Sequence, residues 1–107
     1  VDRKKDMILS GGQNIYPQDI EAVMIKHEAV NEVAVIGVPS DRWGETPLAI
    51  VVPEAGTEPD LAELADWTNA QLGRQQRISG VRLTDMLPRN ANGKILKREL
   101  RQTYGGN

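Results

Sequence analysis

The sequence predicts a small α+β domain, and three observations carry that prediction. Two valine- and isoleucine-rich runs, "VNEVAVIGV" over residues 30–38 and "LAIVV" over 48–52, lie too close together for a parallel crossover, so they should pair antiparallel. Segments on either side carry apolar residues at helical spacing. A length of 107 residues fits one core and leaves no room for two. The expected architecture is a mostly antiparallel sheet of about three strands covered by helices, with a short N-terminal hairpin.

Each element has its own reason. Met7-Ile8-Leu9 is a brief apolar run stopped by Ser10-Gly11-Gly12, as in a short strand or hairpin arm. Pro17 suits the first position of a helix, Asp19 and Glu21 suit its positive end, and Ile20, Val23 and Met24 give it one apolar face; the helix should stop near His27-Glu28. The strand at 30–38 is apolar on both faces from Val33 to Val38, which places it at the centre of the sheet. Pro47 and Pro53 bound the next strand. Asp60 is the N-cap of a helix with Leu61, Leu64, Ala65, Thr68 and Leu72 on one face, and Gly73 is its C-cap. Val81 and Leu83 alternate with polar neighbours as in a third strand. A last helix should start at Lys94 or Ile95.

Composition excludes several classes of function. With 39% apolar and 26% charged residues the chain is an ordinary globular domain, and none of its apolar runs approaches the ~20 residues that span a bilayer. It has no cysteine for disulfide or thiolate chemistry, and one histidine, His27, cannot make a multi-histidine metal site. The cytoplasm is the compartment expected by elimination. Basic charge gathers at the two ends: Arg3, Lys4 and Lys5 near the start, and Arg89, Lys94, Lys97, Arg98 and Arg101 against Glu99 alone over residues 88–101. That suits an anionic partner, although on charge alone a solvated helix face fits better.

Two segments could carry chemistry. In "PRNANGKILKREL" the Asn92-Gly93 turn presents Lys94 beside Arg89, and a lysine there, at a helix N-terminus with free backbone N–H groups, can meet an anion. It is not a Walker A loop, since the earlier glycine is missing and Ile95 stands in place of Ser or Thr. On spacing alone, a plain Asn-Gly turn with a solvated lysine fits better. In "SGGQN", paired glycines let the backbone pass close to a ligand or neighbouring domain, or simply form a flexible turn. Trp43 and Trp67 read as packing residues, and His27 as a surface or capping residue.

Taken together, "VDRKKDMILSGGQNIYPQDIE", "VNEVAVIGVPSDRWGETPLAIVV" and "LTDMLPRNANGKILKREL", in that order, resemble the C-terminal domain of the adenylate-forming enzymes. That superfamily holds acyl-CoA synthetases, the adenylation domains of peptide synthetases, and beetle luciferases. The likeness covers nearly the whole chain, and its style is that of the fatty acyl-CoA synthetases, where a "DRKKDMI" opening is common.

The resemblance implies a mobile domain of a larger ATP-dependent acyl-CoA synthetase. Residues 1–6 would be the hinge, and a separate N-terminal domain would bind ATP and the carboxylic acid. Lys94 matches the catalytic lysine that offsets charge at the α-phosphate during adenylation. Lys5 matches the hinge position, and Arg3 the arginine that approaches the nucleotide. Gly11, Gly12 and Gln13 match the loop that lines the pantetheine tunnel for thioester formation. ATP, Mg2+ and coenzyme A are the implied cofactors of the full enzyme; no metal ligand is implied in this chain. The 107 residues alone should fold but not make acyl-CoA.

Two other readings stay open. The same domain type also loads carrier proteins in peptide synthetases, where a pantetheine arm would use the Gly11-Gly12 loop. A stand-alone module for an anion or nucleic acid would use the basic ends. The overall acidity and the absence of aromatics among the arginines argue against nucleic acid as a partner.

Overall fold

The computed structural model describes residues 7–73 and 76–105. The elements run β1 (Ile8–Ser10), β2 (Gln13–Ile15), α1 (Pro17–Met24), β3 (Val30–Ser40), β4 (Gly44–Pro53), α2 (Leu61–Asn69), β5 (Gly80–Leu83) and α3 (Lys97–Tyr104). The α+β class is as expected, but the described sheet has five strands rather than about three, in the order β2-β1-β4-β3, with β5 on β4. The extra strands are the two arms of the N-terminal hairpin, which join the main sheet where Ser10 pairs with Gly44.

β3 and β4 form a long antiparallel pair from Val30–Pro53 at one end to Ser40–Gly44 at the other. Its residues alternate between two cores. Val33, Val35, Ala49 and Val51 face Ile20 and Met24 of α1, Leu64 of α2, and Ile78 and Val81. Ala34, Ile36, Leu48, Ile50 and Val52 face Leu87 and Leu100. Both faces are therefore buried, yet β3 is an edge strand and β4 the central one, contrary to the sequence expectation. Apolar residues on both faces report helices above and below, not strands on either side.

The free edge of β3 is closed by α1. The Glu21 carboxylate accepts the Val35 N–H at 2.8 Å through Oε2, and the same oxygen lies 2.8 Å from the Lys97 ammonium. One side chain thus answers an open backbone donor and ties α1, β3 and α3 together, which removes the Val35 N–H as a donor for a foreign strand. β5 adds parallel to β4 through α2, and Ser79 fastens its start by donating to the Pro47 carbonyl from both its backbone N–H and its hydroxyl. The Asn69 side chain accepts the Ile78 N–H and donates to the Ile78 carbonyl, bracing the return from α2. Buried Thr68 is satisfied by donating to Leu64 O.

Helix boundaries differ from expectation for local reasons. α1 ends at Met24, and the next residues tighten into a turn in which Lys26 N–H bonds to Val23 O and His27 N–H to Met24 O. Asp60 does cap α2, accepting the Glu63 N–H, but the helix stops at Asn69, with Ala70 rather than Gly73 at its C-cap. α3 begins at Lys97, not at Lys94 or Ile95, because Ile95 is held in a bridge with Arg89 and Leu96 N–H bonds back to Pro88 O.

Replacing Glu21 by Ala should lower unfolding stability by about 2 kcal/mol, since it leaves the Val35 N–H without its acceptor. Urea unfolding should show a lower midpoint at unchanged m-value; an unaltered midpoint would mean that the edge needs no such closure.

Candidate functional site

The segment from Pro88 to Leu96 folds as a closed loop. Asn90 and Lys94 pair through Asn90 N–H to Lys94 O at 2.9 Å, and Gly93 N–H donates to Asn90 O at 2.9 Å. Gly93 has φ +84°, a left-handed value that glycine takes without strain. The Asn90 side chain fills the loop from within: its Oδ1 accepts the N–H of Asn92 at 2.8 Å and of Lys94 at 3.0 Å. Lys94 is exposed, as expected. It does not stand at a helix N-terminus, and its backbone N–H is engaged by Asn90, so the expected cooperation with free helix N–H groups is replaced by a side chain carried on a braced loop.

Arg89 binds this loop to the sheet. Its Nη1 donates to Gly93 O at 2.8 Å, and its Nη2 donates to Glu32 Oε1 of β3 at 2.6 Å. The sequence put Arg89 beside Lys94, but Glu32 is 57 residues away and was invisible as its partner.

The second candidate segment is a two-residue hairpin. Ser10 pairs with Gln13, and Gly11 and Gly12 between them have φ +58° and +82°, the two positive values of a type I′ turn. The glycines are not equivalent. Gly11 donates its N–H to Trp43 O at 2.8 Å, and a Cβ there would lie 2.7 Å from Trp43 Cε3. A Cβ on Gly12 would meet no atom within 4 Å. All three residues Gly11, Gly12 and Gln13 are exposed, but Gly11 alone of the two glycines lies against Trp43 of the β3–β4 turn.

Trp43 is 47% exposed, and the Arg42 guanidinium lies 4.7 Å from the centroid of its ring. It supports the Gly11 backbone, as a packing residue does, and also offers ring surface, which the sequence did not reveal. Glu45 completes the junction by accepting the Leu9 N–H at 3.1 Å.

The two segments are not brought together. The Lys94 loop is tied to Glu32 and the glycine turn to Trp43 and Gly44, at opposite ends of the β3–β4 pair. The eight residue steps of strand from Glu32 to Ser40 put them roughly 25 Å apart. The predicted sites at Arg3 and Lys5, and the hinge at 1–6, lie outside the described residues. His27 accepts the Ala29 N–H at Nδ1 and meets the Trp67 ring edge-on at 4.7 Å, a structural arrangement. Among the described residues no three metal-ligating side chains converge, and no helix is long and apolar enough to cross a membrane.

Comparison with known proteins gives a consistent answer. The model of the AMP-binding enzyme C-terminal domain matches residues 19–94. Feruloyl-CoA synthase of an Amycolatopsis species is 47% identical over 98% of this chain and 21% of its own length. A long-chain fatty acid–CoA ligase of Mycobacterium tuberculosis is 45% identical over 96% of this chain and 20% of its own length. Among solved structures, ATP-bound MatB from Rhodopseudomonas palustris superposes with a TM-score of 0.90 at 38% identity, over 95% of this chain and 20% of that one. The o-succinylbenzoate CoA synthetase of Bacillus subtilis in complex with its acyl-adenylate intermediate superposes with a TM-score of 0.85 at 37% identity, over 99% of this chain and 22% of that one. The chain thus spans about a fifth of the length of the relatives it matches.

The inequality of the two glycines makes a local prediction. Gly12→Ala should cost about 1 kcal/mol, for the left-handed backbone alone. Gly11→Ala should cost more and shift Trp43 fluorescence, read in a Trp67→Phe background, because its Cβ displaces the ring. Equal stability losses with unchanged emission would contradict the packing of Gly11 on Trp43.

Proposed function

Because this chain belongs to the AMP-binding enzyme C-terminal domain family, we propose that it is the mobile domain of an ATP-dependent acyl-CoA ligase and serves two half-reactions in turn. The observation that carries this reading is the placement of two different, locally braced loops at opposite ends of one strand pair.

In the first half-reaction the Lys94 loop enters the active site of an N-terminal domain that binds ATP and the carboxylic acid. A carboxylate oxygen attacks the α-phosphorus, the bond to the bridging oxygen breaks, and pyrophosphate leaves, giving the acyl-adenylate. The Lys94 ammonium lies between the carboxylate and the α-phosphate and offsets the charge that develops there. A compact point charge on a long stem suits insertion from another domain. Arg3 approaches the nucleotide. Mg2+, the usual companion of ATP, would be held with the phosphates by the partner domain.

In the second half-reaction the domain turns about Lys5 and presents its other end. Gly11, Gly12 and Gln13 line the passage for the pantetheine arm of coenzyme A, whose thiol attacks the acyl carbonyl and expels AMP. Gly12, with open space where a side chain would be, leaves that passage clear. Without the partner domain the chain forms no acyl-CoA. The acid is a property of the partner, in keeping with relatives named for acids as unlike as ferulate and long-chain fatty acids.

In the full-length enzyme, Lys94→Ala should slow ATP–pyrophosphate exchange by at least about 100-fold. Thiolysis of supplied acyl-adenylate should stay near the wild-type rate. Gly12→Leu should spare adenylation and slow thiolysis. Equal loss of both steps in Lys94→Ala, or slowed adenylation in Gly12→Leu, would sink the corresponding assignment.

A further inference from the structure

The placement of Lys94 depends on the loop that carries it. Inside the loop, Asn90 occupies the N–H groups of Asn92 and Lys94 and fixes its curvature. That internal bonding fixes shape but not position, since it makes no connection to the sheet. Leu87 and Ile95 pack the base of the segment on the Ala34–Ile36 face, and the polar connection of the loop's tip to β3 is made by Arg89, whose two terminal nitrogens reach Gly93 O and Glu32 Oε1, one on the loop and one on the strand.

Glu32 is itself aimed by an irregularity. A β-bulge between Val30 and Glu32 lets Val30 turn into the α1 core while Glu32 keeps the alternation of Ala34 and Ile36, whose face packs on Leu87 and Leu100. Bulges commonly re-aim side chains in this way. The ion pair is half exposed, with side-chain exposures of 42% and 38%, so its contribution to folding stability is small. Its geometry is informative in another respect: a planar guanidinium holds two acceptors at a fixed angle, which an ammonium cannot do.

We propose that Arg89, held by Glu32, is a positioning residue that fixes where the Gly93 carbonyl stands and so where Lys94 is delivered during adenylation. The proposal rests on the adenylation role given to Lys94 above. A loop held to the sheet at one carbonyl arrives in the active site already placed, and a displacement of about 1 Å at a reacting centre can cost roughly 100-fold in rate.

The test uses the full-length enzyme with Arg89→Lys, Glu32→Ala and the double variant. Backbone amide exchange at residues 92–94 should quicken by about tenfold in each, with β3 and β4 amides unaltered. ATP–pyrophosphate exchange, measured with whichever of ferulate, 2-succinylbenzoate or palmitate the enzyme activates fastest, should lose about tenfold in kcat at little change in the KM for ATP. Thiolysis of supplied acyl-adenylate should not change, and the double variant should be no worse than Arg89→Lys, because both remove one tie.

Wild-type exchange at 92–94 in Arg89→Lys would overturn the proposal, since charge without the fork would then suffice. Parallel loss in both half-reactions would overturn it too, as general damage to the fold. Lys94→Ala run alongside separates the two failures. If Lys94→Ala still adenylates, the role of Lys94 itself is wrong. If Lys94→Ala is dead and Arg89→Lys is fully active, only the positioning is wrong.

Discussion

The rest of the domain depends on the β3–β4 strand pair, which is buried on both faces. Ladder bonding runs from Val30 and Pro53 to Ser40 and Gly44, and alternate residues feed two separate cores. A two-stranded ribbon exposed to water would twist and slip freely. Here α1 and α2 cover one face and α3 with Leu87 the other, so a one-residue slip would move every valine and isoleucine into the wrong core. Register is thereby fixed, and with it the distance between the features mounted at the two ends.

Much of this was legible because it is local. Helical spacing placed Ile20 and Met24 on one face, Asp60 announced its own cap, and the short "DRWGE" connection required an antiparallel hairpin. What failed was inference from burial to position. A strand buried by helices above and below reads the same as one buried between strands, and only the Glu21 carboxylate on the Val35 N–H distinguishes an edge that has been closed. The start of α3 failed for a related reason. Ile95 and Leu96 are apolar at helical spacing, but Ile95 bridges to Arg89 and Leu96 N–H bonds to Pro88 O, and those contacts outweigh propensity.

The candidate residues divide the same way. Gly11, Gly12 and Lys94 could be placed on turns because turn chemistry is written in adjacent residues, while their expected roles came from the family resemblance. The difference between the two glycines could not be read, since it depends on a tryptophan ring from another hairpin. Nor could the Arg89–Glu32 tie, because every exposed arginine has several carboxylates it might meet and sequence spacing ranks none of them. Asn90 was readable in principle: an asparagine ahead of an Asn-Gly pair can bond forward to backbone N–H groups, and here it takes two.

Separation of the two loops has a mechanical consequence for the function proposed. Features roughly 25 Å apart along one strand pair cannot both occupy a single reacting centre, so bringing one in must take the other out. A flexible domain could blur that exclusion by bending. This one resists bending between them, because the intervening strands carry cores on both faces and any change in their curvature would open both at once. The ties at each end complete the arrangement: Arg89 and Glu32 hold one loop to β3, and Gly11, Trp43 and Glu45 hold the other to the β3–β4 turn. On the proposed function, movement between half-reactions would be confined to the attachment of the domain to its partner. Alternation of the two activities would likewise follow from the doubly packed sheet rather than from any flexibility within it.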